Sequence, residues 1–217
     1  MLEKEITSLK KDLIEYAALV EGMIKQAIKG LLNKDREILC HVAEEEEPRA
    51  NELEIGLDDI CTTLIAKYQP TAKNLRTILM IYKMNNDLER MADLAVNMVE
   101  SSLFLIEKPF VKPFIDIPHM SNIAVGMLKD SLDSFTKEDA VLAKRVCERD
   151  NDIDALRDQV YRELITHMIS DPATIERCLH VIRISNSLER IADLSTNICE
   201  DVIYMVEGRV IKHHREE

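Results

Sequence analysis

The chain lacks tryptophan and has only five glycines and six prolines in 217 residues, with aromatics at 4%. So little turn and strand material disfavours a sheet protein and favours an all-helical one. No apolar run approaches the length of a membrane span. The start, MLEKEITSLKKD, has no apolar core of a signal peptide. The expected location is the cytoplasm, without direct membrane insertion. Basic residues are in deficit: 28 Lys and Arg against 40 Asp and Glu give a net charge of −12. That excludes the basic footprint of a nucleic-acid binder and charge-driven adhesion to an anionic membrane. The five cysteines (Cys40, Cys61, Cys147, Cys178, Cys199) are odd in number and form no C-x-x-C pair. They read as small buried hydrophobes in a reducing compartment. There is no glycine-rich phosphate loop, no HExxH, and no Ser or Cys grouped with a His and a carboxylate, so no catalysis is expected.

What the chain does have is a sixteen-residue stretch present twice, NNDLERMADLAVNMVE (Asn85 to Glu100) and SNSLERIADLSTNICE (Ser185 to Glu200). Nine positions are identical, and the copies lie one hundred residues apart. Such an internal repeat points to a duplicated structural unit. Both copies are free of Gly and Pro and read as helix interior. In the first, Leu88, Ala92, Ala95 and Val99 form an apolar stripe. Glu89, Asp93 and Asn97 are four apart and line one face beside it, as Glu189, Asp193 and Asn197 do in the second copy. Two ionised carboxylates one turn apart repel by a few tenths of a kcal/mol. Carboxylates with an amide oxygen at i+8 suit a hard cation, with oxidised iron, manganese, magnesium and calcium as candidates. The alternative is a solvated, salt-bridged helix face.

Taken in order, Ile6, Leu9, Leu13, Tyr16, Val20, Met23, Ala27 and Leu31 predict a long bundle helix over 2–32. Asp35 can cap a second helix that runs to Tyr68 and accommodates Pro48 by a kink or bulge. A third follows Gln69-Pro70-Thr71 to about Ile106. Pro109, Pro113 and Pro118 mark an extended linker over 108–118. The second half repeats the plan: a helix over His119–Phe135, a capping-box variant at Thr136 with Asp139, a long helix to about Ser170, then Asp171-Pro172 and a last helix to about Glu207, with Gly208 as its stop and a frayed tail over 209–217. The fold expected is therefore all-α: two tandem, homologous three-helix bundles, over 1–107 and 119–208. The second helices also correspond, Glu47-x-x-x-Asn51 with Asp150-x-x-x-Asp154. Antiparallel packing then sets Asp150 and Asp154 against Glu189 and Asp193, a four-carboxylate cluster that is costly to bury without a cation. The first half, with Glu47 and Asn51, offers the poorer set, so the tighter metal site is expected in the second half.

The blocks LERMADLAVNMVE and LERIADLSTNICEDVIYMVEG, the duplicated three-helix plan and the motif PTAKNLR together resemble the PhoU family over nearly the whole chain. The resemblance implies a regulator of phosphate uptake, an adaptor between the ATPase of a phosphate ABC transporter and a sensor histidine kinase, and a homodimer. It also implies iron-type sites in some members, on motif positions matched here by Glu89, Asp93, Glu189 and Asp193. This chain departs by Ala92 and Ala192, where the family often has Gly, and by Asn74, where it often has Asp. Two other readings are a helical regulator of a different transporter and a ferritin-like metal enzyme or storage bundle. The latter relies on Glu-x-x-His pairs, and no histidine here lies three residues after a Glu.

Overall fold

In the computed structural model, which describes residues 1–207, the chain is a row of helices with no strand among the described residues. Helix α1 (Leu2–Asn33) buries the whole apolar stripe from Ile6 to Leu31. It ends at Lys34, whose backbone is left-handed (φ 53°), and Asp35 N–H closes on the Gly30 carbonyl at 2.8 Å. The Asp35 side chain then accepts from Ile38 N–H at 3.1 Å and starts α2 (Arg36–His41). A single π turn over Val42–Glu46 follows before α3 (Glu47–Tyr68). It falls where Pro48 has no N–H to give the preceding turn, so the ladder widens by one residue and the helix continues. Helix α4 (Ala72–Ile106) carries the first repeat copy.

The proline-rich crossing is pinned to the body. The Arg177 guanidinium donates to the Pro109 carbonyl at 2.8 Å, Phe110 packs on Phe114 at 4.7 Å, and Lys34 lies 4.4 Å above the Phe110 ring. The crossing ends earlier than 118. Helix α5 spans Asp116–Lys137, and Pro118 sits in its first turn, where a missing N–H leaves no intrahelical bond unmade. The next connection repeats the α1–α2 turn. Glu138 is left-handed (φ 51°), and Asp139 N–H bonds the Ser134 carbonyl at 2.9 Å. Asp139 is the cap of α6 (Ala140–Glu148), accepting from Val141 and Leu142 N–H. Thr136 is no part of that cap; its hydroxyl donates back to the Leu132 carbonyl at 2.9 Å. The expected long helix is broken at Arg149 (ψ −11°), and α7 (Asp150–Ser170) begins after it. Asp171 caps a 3-10 turn that opens with Pro172. Helix α8 (Ile175–Glu207) carries the second copy. Gly208 and the tail 209–217 lie outside the described residues.

Helices α4 and α8 pack against each other at the centre. On α4 lie α1 and α3; on α8 lie α5, α6 and α7. The central pair is antiparallel, as the Lys83–Asp201 ion pair and the Phe104–His180 stack (4.0 Å) show. The two copies lie one hundred residues apart in sequence and cross antiparallel, so they meet about an approximate two-fold axis. The apolar faces of both form one continuous core. Each fully buried Leu or Ile contributes about 1.5–3 kcal/mol, so this seam alone holds the halves firmly.

Candidate functional site: two acidic stripes and a corner between them

The two repeat copies sit alike. Glu89 and Glu189 are half-buried, while Asp93, Asn97, Asp193 and Asn197 are exposed. Their neighbours differ.

In the first half, α3 sets Glu54 beside Glu89. Burial comes first in pushing the Glu89 carboxyl above its usual range, then Asp93 and Glu54; Arg90 opposes. Glu54 is likewise raised, by burial and by Asp58. Behind them stands Tyr16 of α1, wholly buried, with no hydrogen-bond partner for its hydroxyl. Burial and then the charges of Glu54, Glu89 and Asp93 push that phenol up. Asn85 holds the layer together, donating to the Glu54 carbonyl at 2.9 Å and to Asp58 Oδ1 at 2.8 Å. Glu47 and Asn51 do not supply the charge from α3. Glu47 opens that helix, two turns before Glu54, and Asn51 is exposed.

In the second half, Asp150 and Asp154 do act on Glu189, and Asp154 on Asp193. Burial leads both carboxyls upward, followed by Asp193 for Glu189 and by Asp154 for Asp193. A cation is already present, however. The Arg157 guanidinium is paired with Glu189, with Asp154 at 3.1 Å and with Asp158 at 3.1 Å. Arg157 occupies in α7 the place Glu54 holds in α3, since each follows the matched Leu156 or Leu53. Among the described residues, no three His, Cys, Asp or Glu side chains converge as placed on a point that would hold an ion.

A third group, not anticipated, lies where α3, α4 and α8 meet. A cleft of about 500 Å³ is lined by Glu54, Asp58, Lys83, Asp87, Arg90 and Asp201, among others. Asn197 lines it too. Asp87 and Asp201 are both only 7% exposed. Lys83 pairs with Asp201. Burial and the facing Asp201 push Asp87 up to about 6, against Arg90 and Lys83. The related positions on the other side of the axis are Ser187 and Ser101, both buried. One visible hint was that Asp87 becomes Ser187, and Ser101 becomes Asp201, between two otherwise matched copies.

Of the histidines, His180 stacks on Phe104, and no Glu-His pair builds a ferritin-like centre among the described residues. No helix among them is long and apolar enough to cross a membrane.

The PhoU domain model matches the chain twice, over residues 13–102 and 117–202. The chain belongs to the PhoU family. The first match runs from within α1 to within α4 and the second from within α5 to within α8, so each takes in one copy of the repeat. The chain is 40% identical over 212 residues to a phosphate-specific transport system accessory protein PhoU homolog of Aquifex aeolicus, covering 98% of this chain and 96% of that one. It is 30% identical over 209 residues to the PhoU accessory protein of Escherichia coli strain K12, covering 96% and 86%. The crystal structure of PhoU from Pseudomonas aeruginosa superposes with a TM-score of 0.92 at 32% identity, covering 96% of this chain and all (100%) of that one. The phosphate transport system regulatory protein PhoU of Streptococcus pneumoniae gives 0.90 at 25% identity, over 98% and 100%. The PhoU fold of two tandem helical bundles is thus present over the whole described length.

Proposed function

We propose that this protein is a non-catalytic accessory of a phosphate-specific transport system, acting in the cytoplasm as a homodimer. The observation that carries the accessory role is end-to-end similarity to PhoU proteins that bear that name. Its partners in this reading are the transporter's ATPase and the sensor histidine kinase that reports phosphate status. The net charge of −12 suits docking on basic partner surfaces. The test is a clean deletion, complemented by the wild-type gene. Phosphate uptake and phosphate-starvation transcription should both become deregulated, and the tagged protein should retain the ATPase on a column. Unchanged uptake and transcription would refute the role.

The acidic stripes divide in this reading. In the first half, Glu54, Glu89 and Asp93 with the Tyr16 oxygen are hard donors without a resident cation, and the unmatched Tyr16 hydroxyl supports a missing partner there. When bound, an iron-type cation would neutralise this layer and tie α1, α3 and α4 together; Asp93, exposed on α4, would turn inward to reach it. In the second half Arg157 already neutralises Glu189 and Asp154. The preference expected from the sequence, a tighter second-half site, is therefore reversed. Elemental analysis of the purified protein tests this: Glu54→Ala and Glu89→Ala should lose metal, and Glu189→Ala should keep it. Equal metal content in all three would remove the first-half site.

A further inference from the structure

Two of the five cysteines face each other. Cys147 lies one residue before the end of α6, and Cys199 lies on α8, between Asn197 and Glu200 of the second repeat copy. Helix α6 packs along α8. Lys144 on α6 pairs with Glu207 on α8 at 3.2 Å, and along the same contact the Cys147 and Cys199 side chains interact. Cys199 is fully buried and Cys147 is partly open to solvent. The contact with Cys199 lowers Cys147, against burial and the charges of Glu200 and Asp150, while the same contact and burial raise Cys199. Cys147 is thus the sulfur a solute can reach. The other cysteines are placed differently. Cys61 donates to the Ile78 carbonyl at 4.0 Å, Cys178 to the Thr174 hydroxyl at 3.8 Å, and Cys40 sits on α2 in the other half.

Helix α6 is nine residues long and ends at Glu148. Helix α7 begins only after the break at Arg149, so Cys147 lies in the last turn of a short helix that ends before the acidic stripe of the second half. In the first half the matched stretch runs through the π turn without a break, with Glu44 and Val99 at the two places.

We propose that Cys147 and Cys199 form a dithiol site that closes to a disulfide on reaction with a hydroperoxide. The Cys147 thiolate attacks a peroxide oxygen; an S–O bond forms, the O–O bond breaks, and hydroxide leaves to take up the proton Cys147 released. The Cys199 sulfur then attacks the Cys147 sulfur. The S–S bond forms, the S–O bond breaks, and water leaves with the Cys199 proton. Two thiols are oxidised by two electrons, and one hydrogen peroxide is reduced to two waters. Sulfenic acids condense with neighbouring thiols in this way, and reversible disulfides of reducing compartments are of this sensing kind. The bond ties α6 to the segment of α8 that bears Asn197 and Glu200. It makes the second half, and not the first, responsive to oxidant.

The test uses the full-length protein, reduced and then freed of reductant. After hydrogen peroxide, thiols titrated under denaturing conditions should fall by two from five. The intact mass should drop by two hydrogens, and non-reducing peptide maps should join the Cys147 and Cys199 peptides. Dithiothreitol should reverse all three. Cys147→Ser, a near-isosteric change at a partly exposed site, should abolish the linkage; Cys40→Ser should leave it intact. Full retention of free thiols, a linkage between other cysteines, or Cys147 passing to sulfinic acid with Cys199 still free would each overturn the proposal.

Discussion

The two halves share a backbone plan, yet one residue gives their acidic layers opposite character. Glu54 on α3 adds a third negative charge beside Glu89 and Asp93; Arg157, at the matched place on α7, puts a guanidinium among Glu189, Asp154 and Asp158. Carboxyls are raised in both layers, and the first also keeps an unmatched phenol. The second has internal neutralisation, with three ion pairs on one side chain. Duplication therefore preserved the scaffold and the third-helix carboxylates, while the second helix decided whether the charge is balanced from within or from outside.

The sharpest way to break this contrast is Arg157→Ala. It leaves Glu189 and its neighbours without their cation, and unfolding by urea should show a loss of about 2–4 kcal/mol, less than for a fully buried pair because Arg157 keeps some contact with water. Arg157→Glu should copy the first half, and its stability should recover on adding manganese or ferrous ion more than that of the wild type does. Failure of Arg157→Ala to destabilise would mean that the guanidinium is a surface decoration.

The next largest effect is expected at the corner on the seam. Asp87 ionises near pH 6 in the folded protein, above the ordinary carboxyl value near 4 in the unfolded chain. The folded state then binds more protons between those values, so this group makes stability fall as pH rises through about 4 to 6 and stay low above it. Asp87→Asn should be about 2 kcal/mol more stable than wild type at pH 7.5, with the gain fading toward pH 4. Denaturation at the two pH values reads it directly. Ser187→Asn, on the other side of the axis, should show no such pH-dependent gain.

The two matched turns give smaller tests. A Cβ on Gly30 would stand 2.6 Å from Leu39 side-chain carbons, whereas Ser134 fills the equivalent place in the second turn. Gly30→Ala should destabilise by about 1–2 kcal/mol through overpacking, and Ser134→Gly by less, by thermal melting. Lys34→Gly relieves a left-handed backbone, worth about 0.5–1 kcal/mol, but gives up the Lys34 contact on Phe110, so its net gain should be smaller than that. Glu138→Gly should gain nothing, because Glu138 also binds Lys73 at 2.9 Å and Lys10 at 3.3 Å.

The sequence made the scaffold readable where a rule is local. The stripe of α1, the Asp35 cap, the bulge before Pro48 and the matching third helices all follow from periodicity, capping or a missing N–H. It was less informative where the deciding contact lies between helices. Whether Glu47 or Glu54 reaches Glu89 depends on how α3 slides along α4, a shift of two turns that no spacing within α3 records. Nothing within α7 marks Arg157 as the partner of Glu189, which lies on another helix. The break at Arg149 carries neither glycine nor proline to announce it.

The approximate axis between α4 and α8 has a consequence for how such a chain changes over time. A symmetric pair of separate, identical halves would repeat every substitution at both ends of their shared interface, so an acid placed at one end would appear at the other. Fusion into one polypeptide removes that constraint. One end of the seam can then acquire the buried pair Asp87 and Asp201 while the other keeps serines, and a molecule assembled from twins acquires a front and a back.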